Sequence, residues 1–144
     1  MKVAVILFNL GGPDKLDNVE PFLFNLFNDP AILNLPSFIR YPLAKLISKK
    51  RAPIAKDIYK EIGGSSPILK LTQDQANSLE KSLNRNEKAF KYKVFITMRC
   101  WHPRASETIK MVKNFNPSEI NAYGYWGKPS TTAVTKYENL CFAA

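Results

Sequence analysis

Histidine and cysteine are almost missing from this chain: His102 is the single histidine, and Cys100 and Cys141 are the two cysteines among 144 residues. So few ligands, so scattered, give no metal-site spacing and no disulfide framework. Membrane-spanning runs are missing too. Val3–Leu10 is apolar but far too short to cross a bilayer, and Gly-Gly-Pro-Asp follows it directly, which leaves no signal-peptide cleavage pattern. With no secretory signal, a reducing, cytoplasmic setting is expected. There is no internal repeat, no low-complexity stretch, no nucleophile beside a base and no convincing carboxylate pair. Acidic residues are scarce, 12 against 21 Lys and Arg, for a formal charge of +9.

What is present is an ordinary globular balance of 45% hydrophobic and 23% charged residues, in a length that suits one domain. The positive surplus favours an anionic partner: nucleic acid, an acidic membrane face, or a carboxylate or phosphate ligand. No DNA- or RNA-binding signature accompanies it, so no nucleic-acid partner is expected.

The apolar run Val3–Leu10 predicts a strand buried on both faces, in the middle of a parallel sheet. Asp17–Glu20 reads as a helix start, with Val19, Phe22, Leu23, Leu26 and Phe27 on one face and Pro21 in the first turn. From Pro30 to Pro53 the prolines predict short helices only, with Leu43, Leu46 and Ile47 as a small apolar face. A separate helix carrying Ile54, Ile58 and Ile62 would be closed by Gly63-Gly64. Thr72 to Gln75 reads as a capping box opening a further helix, and Tyr92–Met98 as a second strand. Ala105, Ile109, Val112 and Phe115 form another helical face, and Ser118–Ile120 begins one more element. Alternation of this kind predicts an α/β fold with a parallel sheet flanked by helices, and ligands then bind beyond the carboxyl ends of the strands. Gly11-Gly12 and Arg99 both follow a strand. The first strand and Val94–Met98 are expected to leave an unpaired sheet edge.

Three further motifs carry chemistry. Lys49-Lys50-Arg51 can be an anion clamp or a solvated face. Ile62-Gly-Gly-Ser-Ser-Pro67 offers backbone and hydroxyl donors that suit a carboxylate, or is a helix end and loop. His102, between Trp101 and Pro103, fits a packed structural residue better than a catalyst.

Together, Asn-Leu-Gly-Gly-Pro-Asp14, Lys-Lys-Arg-Ala-Pro53, Tyr59 with Ile-Gly-Gly-Ser-Ser-Pro67, Thr72-x-x-Gln75 and Met-Arg-x-Trp-His-Pro103 resemble the ferrochelatases in order and spacing. The resemblance runs from Met1 to about Ile120. It implies the first of two similar chelatase-like α/β halves, over residues 1–120, followed by a divergent tail, 121–144. It implies insertion of ferrous iron into protoporphyrin IX, both as substrates, with no permanently bound cofactor. Leu10, Gly11 and Gly12 would line the porphyrin cleft, Arg51 and Ser66 would contact propionates, and Arg99 would line the cleft. Lys50 stands where many members carry a second Arg, and Cys100 where relatives usually carry Tyr. The family's proton-accepting histidine and its acidic partner belong to the second half; His102 is not that histidine. No catalytic residue and no metal site are therefore expected in this chain, which should be inactive alone. The segment 35–54 would be the lip of the pocket, with peripheral membrane contact in some relatives. The competing readings are a non-catalytic porphyrin- or haem-binding module and, on charge alone, a basic adaptor.

Overall fold

A computed structural model of the chain describes residues 1–86 and 89–124. The sequence readings that fall on 125–144, Cys141 and most of the divergent tail among them, lie outside the described residues. The elements are β1 (Lys2–Asn9), α1 (Val19–Phe27), α2 (Ser37–Glu61), α3 (Ile68–Asn84), β2 (Lys91–Met98), α4 (Ala105–Phe115) and β3 (Glu119–Gly124), with a 3-10 turn at Leu16–Asn18. This is the α/β class expected. Two compact units emerge: Met1–Leu10 with the described residues from Lys70 onward, and Gly11–Leu69.

The first unit is built on a three-stranded sheet in the order β2-β1-β3. Both pairings of β1 are parallel, with Ile6 opposite Phe95 on one side and Ala122 on the other. The apolar run thus becomes the middle strand, and Val3 to Ile6 are buried. Its side chains alternate between two cores, as strand pleating requires. Ala4 and Ile6 join Phe95 and Val112 beneath α4, while Val5 joins Val94, Ile96, Met98 and Ala76 of α3. Thr108, fully buried in α4, spends its hydroxyl on the Ile96 carbonyl at 2.8 Å. Asn116 ends α4 in the left-handed conformation (φ 51°), a position that asparagine tolerates.

The expectation of an unpaired sheet edge holds in part for this unit. β1 is not an edge strand, being paired on both sides. β2 is one, with no strand on its outer side among the described residues, but that edge is partly covered: the Glu80 carboxylate of α3 accepts the Val94 N–H at 2.8 Å. Asn84 makes two bonds there, accepting from the Tyr92 N–H and donating to the Tyr92 carbonyl. Helix side chains therefore satisfy backbone groups that would otherwise invite another strand. Finally, β3 runs on to Gly124, past the Ile120 at which the sequence pattern fades.

The second unit pairs α1 with α2. Asn18 and Asp14 bond at 2.7 Å ahead of α1, and Pro21 lies in the first turn as expected. The short helices predicted between Pro30 and Glu61 are instead one helix of 25 residues, with Pro42 and Pro53 inside it. Its buried side chains are Ala44, Ser48 and Ala52, one turn apart, whereas Leu46, Ile54, Ile58 and Ile62 are exposed. Small residues at that spacing let α1 approach closely. Phe24 meets Tyr41 edge to face at 5.2 Å between ring centres. Gly63 and Gly64 close α2, both at positive φ.

α3 opens earlier than the capping-box reading places it. The Ser66 hydroxyl accepts the Ile68 N–H at 3.4 Å, with Pro67 between them. Thr72 lies inside the helix and is buried.

Candidate functional site

The order β2-β1-β3 places β1 between the strands that follow it, so the chain reverses direction across the sheet at β1. Open parallel sheets bind ligands at such a point, beyond the carboxyl ends of the strands. In the first unit two candidate residues sit there. Leu10 follows β1 and is half-buried, while Arg99 follows β2 and is exposed. Their backbones are tied: the Arg99 N–H donates to the Asn9 carbonyl at 2.9 Å, and the Cys100 N–H to the Leu10 carbonyl at 2.9 Å. The loop from Arg99 is folded back on itself by the Met98 N–H, which donates to the Pro103 carbonyl at 2.7 Å.

Cys100 and Trp101 are buried, so this loop is packed. His102 is exposed, and its Nδ1 lies 2.8 Å from a Glu107 carboxylate oxygen. The same oxygen accepts the Arg104 N–H at 2.6 Å, at the start of α4. That backbone donor first, and the His102 hydrogen bond second, hold the Glu107 carboxyl below the usual carboxylate range. His102 thus has a helix-end role, but it is exposed there rather than packed as the sequence suggested.

In the second unit, Gly11, Gly12 and Ser66 are neighbours for identifiable reasons. Gly11 has φ +88°, which side chains rarely adopt. Gly12 is required by space: a Cβ there would lie 2.3 Å from Ser66 Oγ and 2.5 Å from Ser66 Cβ. The Ser66 N–H donates to the Pro13 carbonyl at 2.8 Å, which locks the two loops together. The glycine pair after β1 and the Gly-Gly-Ser-Ser-Pro turn, distant in sequence, are therefore one structure.

Lys50 and Arg51 are exposed near the middle of α2. The Arg51 guanidinium lies over the Phe27 ring of α1, 5.9 Å from its centre. Among the described residues no hydrogen bond joins Arg51 to Ser66, so the two expected propionate contacts are not directly linked. No group of three or more His, Cys, Asp or Glu among the described residues could hold a metal ion. No helix among them is long and apolar enough to cross a membrane.

Sequence reasoning gave Asn9 no role of its own and read Thr72 as a helix start. Asn9 Nδ2 donates to Thr72 Oγ1 at 3.0 Å, and Asn9 Oδ1 accepts the Leu10 N–H at 2.8 Å. The available signal was a polar residue at the end of an otherwise apolar strand.

The ferrochelatase family model matches residues 2–143, well beyond Ile120. A ferrochelatase of Pelagibacter ubique is 72% identical over 98% of this chain and 42% of its own length. One from the Wolbachia of Drosophila simulans is 56% identical over 93% of this chain and 42% of its own length. One from Caulobacter vibrioides is 50% identical, over 92% and 38% respectively. The chain thus spans about two-fifths of the length of the curated relatives it matches. With a match over nearly every residue, and with the glycine loop after β1 locked to the serine turn before α3, the chain belongs to the ferrochelatase family.

Proposed function

We propose that this chain supplies the porphyrin-holding part of a ferrochelatase, the enzyme that inserts ferrous iron into protoporphyrin IX. The observation that carries the reading is the family match over residues 2–143, joined to the loop that follows the middle strand. In this reading Leu10, Gly11 and Gly12 lie against the macrocycle, where glycine lets backbone approach a flat ligand. Arg51 and Ser66 contact propionates, and Lys50 adds a point charge rather than a two-pronged grip. Arg99 has a cleft-lining role by the same resemblance. Porphyrin and ferrous iron are substrates.

Iron insertion replaces two pyrrole protons by one Fe²⁺, so the net products are protohaem and two protons. The residues named here bind and orient the macrocycle. Proton removal falls to the part of the enzyme that the relatives carry and these 144 residues do not match.

Membrane contact through 35–54 belongs to the same proposal. Phe38, Tyr41, Leu46 and Ile54 are exposed on α2 close to Lys45, Lys49, Lys50 and Arg51. Exposed apolar and basic side chains mixed along one helix suit the surface of an anionic bilayer.

The test is a titration of the 144-residue chain with protoporphyrin IX, read by fluorescence, beside a zinc-insertion assay. Saturable porphyrin binding without metal insertion is the expected result. Failure to bind porphyrin would overturn the reading. Turnover above the metal-only blank would overturn the assignment of proton removal. A porphyrin-binding module with no enzymatic partner is separated from a ferrochelatase part by adding the remaining portion of a close relative, which should restore insertion only in the second case.

A further inference from the structure

Asn9 is placed to control the turn that follows β1, and it does so through three groups at once. Its Oδ1 accepts the Leu10 N–H at 2.8 Å, its Nδ2 donates to Thr72 Oγ1 at 3.0 Å, and its carbonyl accepts the Arg99 N–H at 2.9 Å. An amide side chain carries both an acceptor and a donor, so one residue can hold its neighbour's N–H and reach a helix hydroxyl together. Thr72 is 3% exposed, so its hydroxyl is a fixed anchor in the core rather than a mobile surface group. The carbonyl of Leu10 is held separately, by the Cys100 N–H at 2.9 Å. Leu10 is thus gripped at both its N–H and its C=O before the chain enters the positive-φ turn at Gly11.

We propose that Asn9 and Thr72 are positioning residues: together they fix the direction in which Leu10 meets the ligand. The inference rests on the porphyrin reading above for the identity of that ligand. Neither residue touches the reacting atoms. Their role is to remove the freedom that an apolar strand end would otherwise have, so that the turn does not lose entropy again on each binding event.

The 144-residue chain is compared with Asn9→Ala, Thr72→Val, Thr72→Ser and the double variant Asn9→Ala/Thr72→Val. Three readouts are used: protoporphyrin IX affinity by fluorescence, hydrogen exchange of the Leu10 amide, and far-UV circular dichroism. Thr72→Val keeps the shape and loses the hydroxyl, while Thr72→Ser keeps the hydroxyl. Losing one such bond should weaken porphyrin binding roughly threefold to tenfold in Asn9→Ala and Thr72→Val. Thr72→Ser should bind like the parent. The double variant should fall short of the product of the single effects, because both remove the same contact. Leu10 amide exchange should accelerate in Asn9→Ala. Porphyrin affinity within about twofold of the parent in Asn9→Ala, a change too small for a lost hydrogen bond, would overturn the proposal. So would equal losses in Thr72→Ser and Thr72→Val. A parent that does not bind porphyrin sinks the functional reading instead; the Leu10 amide then decides whether Asn9 sets the turn at all.

Discussion

Gly12→Ala adds a single methyl group where the structure has no room for it. The new Cβ would fall 2.3 Å from Ser66 Oγ and 2.5 Å from Ser66 Cβ, with Ile68 Cγ2 at 3.3 Å. Ser66 Cβ is bonded directly to its backbone, so no rotamer change removes the second contact. The loop around Ser66 must move as a unit. Moving it strains the hydrogen bond from the Ser66 N–H to the Pro13 carbonyl, now 2.8 Å long. Overpacking costs about 1–3 kcal/mol and a lost hydrogen bond about 0.5–1.5 kcal/mol, so a loss of about 2–4 kcal/mol is expected. Urea unfolding of the 144-residue chain measures it. Ser66→Gly removes both clashing atoms and should recover most of the loss in the double variant. Ser66→Ala leaves the Cβ and should not. Gly11→Ala is the control: its cost of about 1–2 kcal/mol comes from a positive φ, so Ser66→Gly should leave it untouched. A Gly12→Ala chain as stable as the parent would refute the reasoning. So would equal rescue of Gly11→Ala and Gly12→Ala.

Arg51→Ala should weaken protoporphyrin IX binding by about 1.5–3 kcal/mol, the range for hydrogen bonds to charged groups, measured by fluorescence titration. Asn84→Ala strips the Tyr92 backbone of its side-chain partners and should raise the self-associated fraction seen by size-exclusion chromatography at equal concentration. Glu107 has a folded-state carboxyl pKa below its ordinary value, held there by the Arg104 N–H and then by His102. Its stabilising contribution is therefore present above the unfolded carboxylate pKa and is lost as pH falls through the folded one. Melts between about pH 6 and pH 3 should lose more for the parent than for Glu107→Gln.

The strands and the last helix were legible in the sequence because their burial follows simple periods. Val3–Ile6 are buried as a continuous run, and Thr108 and Val112 lie on one face of α4. The long helix α2 was not legible, and the reason is physical. Proline normally ends a helix by removing an N–H and crowding the preceding turn. Pro42 and Pro53 are both exposed, as are Phe38 and Lys49, whose carbonyls lose their partners, so water can serve them. The face that buries is Ala44, Ser48 and Ala52, which gives almost no hydrophobic signal although packing against α1 depends on its smallness. Thr72 misled for a similar reason. A threonine followed by glutamine three residues later has the look of a helix start, but Ser66 and Pro67 had already opened α3. The Thr72 hydroxyl was needed by Asn9.

The candidate site divides along the same line. Gly11 and Gly12 could be seen as a turn, but only coordinates show that one is there for its φ and the other for Ser66. The ligand role proposed for Arg51 rests on family resemblance; locally it is a cation over Phe27, and a guanidinium held over a ring can still direct its in-plane N–H donors at a carboxylate. The strand order supplies a separate argument. All three strands are parallel and β1 is in the middle, so their carboxyl ends open on one side of the sheet. A ligand held by this unit must then meet residues that follow the strands, and Leu10 and Arg99 are those residues for β1 and β2. Their backbones are joined through Asn9 and Cys100, so a displacement of either loop is felt by the other. For that reason a substitution at Asn9, which need not touch porphyrin, should act on both sides of the turn at once.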